Sequence, residues 1–289
     1  MSTPKVSIGM PVYNGARFLR EALDSLLAQT FTDFELIISD NASTDDTEII
    51  CHKYASQDAR IYYIQQPKNI GATANFQFVL EQARGEYFMW FACDDLCDPE
   101  FIVELITFLE KHSFLVGCMS DVTILDEQYR TTRIENLQGL SLENNWEQIR
   151  YSLFTIPPRN SYFTIYGLYK TQVIKQVGIN WIGGWKGLLL DCERCFLAKV
   201  ATFGRIAAIP KTLKYYRCHN SSLSSRQLNN VGKLDMVLLR VSIRIKLLKI
   251  VLFSEFLFQD RMILLWGVTT SYIKLRFMRF IKNNVKYSN

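Results

Sequence analysis

Two rhythms of apolar residues alternate along the first ninety positions. Residues 5–12 (KVSIGMPV), 34–39 (FELIIS), 60–65 and 87–92 (YFMWFA) are short apolar runs, the pattern of strands buried on both faces. Between them apolar side chains recur three and four apart. That spacing predicts a helix over 16–29, through Phe18, Leu19, Ala22, Leu26 and Leu27. A second helix, which Thr44 followed by Asp46 and Thr47 can cap, runs to about Ala55, and a third covers 72–84. Strands and helices in alternation imply an α/β fold with right-handed crossovers and a mainly parallel sheet. Three strand ends, at Tyr13-Asn14, Asp40-Asn41 and Asp94-Asp95, then open onto one rim. Open α/β sheets bind ligands there.

Further along the rhythm loosens. A helix is expected from Pro99 to about Lys111, a strand over 116–124, and a surface loop plus helix over 126–149. The aromatic, β-branched stretch 161–169 predicts another strand. Residues 178–187 form a glycine-rich loop with Trp181 and Trp185, and a helix over 190–203 follows, closed by Gly204. Short strands over 206–209 and 213–218 lead to His219. Residues 1–225 therefore read as one domain and 226–289 as a tail.

Composition changes the picture mainly in that tail. The chain of 289 residues carries a net charge of +5, yet residues 226–289 hold twelve Lys/Arg against three Asp/Glu, leaving the body slightly acidic. Segments 231–250 and 261–282 place apolar residues at helical spacing among these cations; the first has Leu234, Val237, Leu238, Val241, Ile245 and Leu248. Neither offers the roughly 18 uninterrupted apolar residues of a span. Two readings remain: basic amphipathic helices on an anionic membrane surface, or a helical subdomain packed on the sheet. No nucleic-acid partner is expected. Seven irregularly spaced cysteines fit reduced thiols in the cytoplasm, and a strand beginning near Lys5 leaves no room for a signal peptide.

Adjacent carboxylates at a strand end, Asp94 and Asp95, repel unless a cation is shared, which suits Mg²⁺ or Mn²⁺; a solvated acidic turn is the plainer explanation. Two further carboxylates, Asp191 and Glu193, compete as a general base at the start of the 190–203 helix. They point to nearly opposite faces, and Glu193 lies in line with the inward stripe of Phe196 and Leu197. Glu193 is favoured, with Asp191 in reserve.

Several motifs in register carry a family resemblance: Pro11-Val-Tyr-Asn14, Ser39-Asp-Asn-Ala-Ser-Thr-Asp45, Asn69-Ile-Gly71, Asn75, Ala83-Arg-Gly-Glu-Tyr87, Asp94-Asp95 and Tyr216-Arg-Cys-His219. Over residues 5–224 the chain resembles family-2 glycosyltransferases. The resemblance implies a GT-A, Rossmann-like mixed sheet flanked by helices, a nucleotide-sugar donor and an inverting, usually metal-dependent reaction. By the same resemblance Pro11, Val12, Tyr13 and Asn14 form the base-binding turn, Asp40 reads the base edge, and Asn69, Gly71 and Asn75 line the nucleotide. Asp95 would be the more direct metal ligand and Asp94 would contact the ribose, because Ala92 stands where many members have an acid. His219 would approach the metal or diphosphate, and Arg217 the diphosphate. Glu193 occupies the place of the usual Asp base, and Trp181 and Trp185 would seat the acceptor. The implied donor is UDP- or dTDP-linked and the acceptor a glycan or lipid-linked glycan of the bacterial cell surface, reached from the cytoplasm or the inner membrane face. Rival readings are a sugar nucleotidyltransferase, disfavoured because only Gly9 and Gly15 occur over 8–20, and a membrane-docked binding module without activity.

Overall fold

The computed structural model describes residues 3–137, 161–179, 193–220, 222 and 232–252. Four βα-type strands form one half of the sheet: β1 (Val6–Val12), β2 (Phe34–Asp40), β3 (Ile61–Gln65) and β4 (Tyr87–Trp90). All run parallel, with α1 (Ala16–Leu27), α2 (Thr47–Gln57) and α3 (Ala72–Gln82) as crossovers. After β4 come β5 (Leu96–Cys97), α4 (Phe101–Lys111), β6 (Leu115–Leu125) and β7 (Thr131–Glu135). A 3₁₀ helix (Ser161–Tyr166), β8 (Leu168–Lys170), α5 (Thr171–Val177), α6 (Glu193–Ala201), β9 (Arg205–Arg217) and α7 (Lys233–Leu252) complete the described chain. Strand order across the sheet is β3-β2-β1-β4-β8-β6-β9-β5, with β7 paired to β6. In the second half β8 is antiparallel to both its neighbours, whereas β9 runs parallel to β6.

Period-2 alternation along the strands divides the core between the two faces of this sheet. Val6, Ile8, Met10, Tyr87, Met89 and Phe91 meet α1, α2 and α4 on one side. Phe88 and Trp90 face the other side, where α3, α5, α6 and α7 contribute Val79, Ile174, Phe196 and Ile243. At the entry to β4, Gly85 lets two backbones approach: a Cβ there would stand 2.6 Å from the amide nitrogen of Ser7.

Several expectations are corrected. Residues 161–166 form a 3₁₀ helix rather than a strand; Gly167 N donates to Thr164 O at 3.3 Å and the Tyr169 hydroxyl donates to the same carbonyl, closing a turn. The two short strands over 206–218 are one strand of thirteen residues. Pro210 and Lys211 sit exposed where the β6–β9 register shifts, so the missing proline N–H is absorbed by an irregularity instead of a turn. Residues 131–135 form β7 and not surface loop, while 138–149 lie outside the described residues. The N-cap of α2 is Asp46, which makes no side-chain cap bond, and the Asp45 carboxylate accepts from Thr47 N at 3.0 Å. Helix α6 ends at Ala201, and Gly204 packs against Val116 instead of capping it.

In the tail, α7 buries Leu239, Ile243, Leu247 and Ile250 on the body, and Cys195 Sγ of α6 contacts Ile243 O at 3.7 Å. Segment 261–282 lies outside the described residues, among which no helix is long and apolar enough to cross a membrane.

Candidate active site

The rim carries two distinct zones. The first lies where β1 and β2 end. Asn14 adopts a φ of 52° and Ala42 a φ of 58°, so both loops turn sharply through the left-handed region. Cross-loop bonds hold them: Asn14 N donates to Ser43 Oγ at 2.8 Å, Thr44 N to Asn14 Oδ1 at 2.8 Å and Asn41 N to Val12 O at 2.9 Å. Val12 is buried and Tyr13 is exposed. Asp40 has no exposed surface; it accepts from Ser43 N at 2.9 Å and from the Tyr63 hydroxyl at 2.9 Å. Burial, with that bond second, pushes the Tyr63 phenol well up. Asn69 accepts from Asn41 Nδ2 and Gly71 N, and buried Asn75 exchanges bonds with Ser39. Asp40 and Asn75 thus turn inward and shape the loops, beside which the Tyr13 side chain is exposed.

The second zone lies beyond β4. Asp95 N donates to Ala92 O at 3.3 Å, a turn that sends the two carboxylates apart. The Asp94 side chain is 25% exposed, and its Oδ2 stands 2.8 Å from His219 Nε2. Phe18 supports the imidazole, ring centroids 4.6 Å apart. Asp95 is fully buried: Arg217 N donates to its Oδ1 at 3.3 Å, and the Lys214 ammonium lies 3.3 Å from Oδ2. Phe91 and Tyr166 flank that ammonium, with ring centroids at 4.7 and 4.0 Å. Burial pushes the Asp95 carboxyl up to about 6 against the pull of Lys214, and pushes the Lys214 amine down against the pull of Asp95. Both shifts favour the neutral forms, so desolvation outweighs attraction in this pair.

Arg217 is not presented to a ligand. Its side chain is 1% exposed, sandwiched between Phe18 and Tyr129 at 4.4 and 4.8 Å, and Nη2 donates to Glu21 Oε2 at 2.7 Å. It ties α1 to the β6–β7 turn and to β9. Glu193 opens α6, half-buried; the Tyr166 hydroxyl is raised first by burial, then by Asp95, Asp94, Tyr216 and Glu193. Asp191, Trp181 and Trp185 lie outside the described residues. Sequence reasoning missed Lys214 and Tyr166. A lysine inside the aromatic strand run LKYYR was the available signal.

The family model described as "Glycosyl transferase family 2" matches residues 7–173, more than half of the chain. The chain belongs to that family. Glycosyltransferase GlyA of Streptococcus pneumoniae is 33% identical over 239 residues, which is 76% of this chain and 31% of that one. The chain spans about a third to a half of the length of the first curated relatives it matches. Among solved structures, S. aureus TarS in complex with UDP-GlcNAc is 20% identical with a TM-score of 0.68, over 93% of this chain and 73% of that one. The mannosyltransferase PcManGT from Pyrobaculum calidifontis, in complex with GDP-Man and Mn2+, is 14% identical with a TM-score of 0.57, over 96% and 75%. The fold is GT-A, as the sequence motifs implied.

For a family-2 chain a divalent ion is the group to test against this geometry. Among the described residues no three His, Cys, Asp or Glu side chains are placed to hold one alone. Asp94, a quarter exposed, and the adjoining His219, whose side chain is 5% exposed, are suitable donors; Asp95, fully buried against Lys214, is less accessible.

Proposed function

We propose that this chain is an inverting glycosyltransferase that moves a sugar from a nucleoside-diphosphate sugar to an acceptor hydroxyl. The observation that carries the reading is the Asp94–His219 pair, 2.8 Å apart at the rim of a GT-A sheet, with Asp94 a quarter exposed and Glu193 at the start of α6. The β1 and β2 end loops, with Tyr13, would cradle the base. A uridine donor is favoured by the UDP-GlcNAc bound to TarS, and a deoxythymidine donor is the alternative.

Asp94 and His219 would hold a Mn²⁺ or Mg²⁺ ion together with donor phosphate oxygens, and that ion would supply Lewis-acid stabilisation of the leaving diphosphate. Glu193 would take the acceptor hydroxyl's proton as its oxygen forms a bond to the anomeric carbon. The bond from that carbon to the diphosphate oxygen breaks on the opposite face, its electron pair leaves with the nucleotide, and the centre inverts. Its place in the first turn of α6 favours the ionised carboxylate. Trp181 and Trp185 remain candidates for the acceptor side, with Asp191 as the alternative base. A panel of nucleotide sugars, read for donor turnover with and without Mn²⁺, tests this; no turnover with any donor would overturn it.

The acceptor is a glycan or lipid-linked glycan of the cell surface, and α7 supports work at the inner membrane face. Opposite its buried stripe, Leu234, Val241, Ile245 and Leu252 are between 43% and 71% exposed. They recur at intervals of seven, four and seven, one narrow face at about 100° per residue. Lys249 is exposed beside that face, and the tail's excess of twelve Lys/Arg over three Asp/Glu suits anionic lipid and opposes pairing with a second copy. In flotation of the full chain, Val241→Glu with Ile245→Glu should cut binding to phosphatidylglycerol vesicles at least fivefold. Unchanged binding, or a change of oligomeric mass alone, would sink the membrane role.

A further inference from the structure

We propose that Lys214 is a resident cation of the donor site, which withdraws Asp95 from metal ligation and gives nucleoside-diphosphate binding a component independent of divalent metal. The inference rests on reading this rim as a nucleoside-diphosphate site. Adjacent carboxylates ordinarily need a bound ion between them; here one of the pair already has its counter-charge, supplied by the protein. Asp95 Oδ1 is taken by Arg217 N and Oδ2 faces the ammonium, so an ion approaching Oδ2 would stand beside a fixed positive charge. The ammonium is not free to swing away. Its stem belongs to a central stretch of β9, paired with β6 through Val122 and with β5 through Cys97, and its side chain is 3% exposed. The faces of Phe91 and Tyr166 further favour a cation at that spot.

The consequence is a division of the acidic pair. Asp95 with Lys214 is neutral as a unit, so of the two aspartates it is Asp94 that presents charge to the rim. An anionic diphosphate therefore meets one negative charge instead of two before any metal arrives. Among the described residues, Asp94 with His219 is then the protein's direct share in holding an ion.

Calorimetry on the full-length protein tests this with UDP as the probe, titrated in EDTA and in MnCl₂, the readout being the ratio of the two dissociation constants. Lys214→Met should raise that ratio at least about tenfold, since Asp95 loses its counter-charge and becomes available to Mn²⁺. Lys214→Met with Asp95→Asn should return it to the wild-type value, because the neutral pair carries the same net charge as the ion pair. Asp95→Asn alone should keep the Mn²⁺-dependent gain in UDP affinity, whereas Asp94→Asn should lose most of it. The double variant and Asp95→Asn decide the matter if Lys214→Met does not fold. An unchanged ratio in folded Lys214→Met, or loss of the Mn²⁺ gain in Asp95→Asn, would overturn the inference while leaving the site reading intact. Absence of UDP binding by the wild-type chain in both buffers would overturn both.

Discussion

The two halves of the sheet organise their polar rims differently. From β1 to β4 the strands run parallel with one helix between successive strands, and rim side chains bond to partners roughly 30 residues away, as Asn14 does with Ser43 and Asn41 with Asn69. Those residues are largely consumed in shaping loops. In the half built from β5, β6, β8 and β9, Asp94 and Asp95 find partners 125 and 122 positions later, at His219 and Arg217, besides Lys214. Charge is concentrated there, and much of it is compensated internally. The comparison teaches that one half offers a backbone cradle while the other manages electrostatics, so substitutions in the two should fail in different ways.

The largest expected effect lies in the charged half. Glu193→Gln should lower transfer to acceptor by about 10²- to 10⁴-fold while UDP affinity stays within about twofold, measured by steady-state kinetics and calorimetry. Lys214→Met should cost about 3 kcal/mol in urea unfolding by stranding Asp95, and adding Asp95→Asn should recover most of that loss. If the double variant is no more stable than the single, the pair is not coupled as described. Arg217→Lys should lose about 2 kcal/mol through the planar contacts with Phe18 and Tyr129 and the bond to Glu21. Its UDP affinity should change by less than about twofold; a tenfold loss would return Arg217 to the diphosphate. The smallest effect belongs to the cradle. Gly71 holds a φ of 85° with open space around it, so Gly71→Ala should cost only about 1 kcal/mol of conformational strain in thermal unfolding.

Legibility in the sequence follows the same boundary. Strands β1 to β4 and their helices show because each is a local, periodic element joined to the next by one helix. The rim at Asn14, Asp40 and Asp94 followed from that topology alone. What did not show was direction: Asp40 ends a strand buried along its whole length, and the pattern cannot say whether its carboxylate turns toward a ligand or toward Tyr63. In the other half, the turn at Gly167 overrode the β propensity of 161–166, and Pro210 imitated a strand end within β9. Lys214 and Arg217 were visible as residues, but their partners Asp95 and Glu21 lie too far along the chain for spacing to link them. Along α7 the apolar stripe read from the sequence includes the exposed residues Leu234, Val241 and Ile245, because two apolar faces on one helix blur its periodicity.

The position of β9 also sets an order in time. It is the last described strand to be synthesised, yet it slots between β6 and the short edge strand β5 and brings Lys214, Arg217 and His219 with it. A nascent chain ending after β8 has Asp94 and Asp95 without any of these partners. Pairing β9 with strands some ninety residues earlier is a slow, high-contact-order step. Until it is taken, the cradle can form but the charges stay unbalanced, so catalytic competence arrives with the closing of the sheet and not by degrees during synthesis.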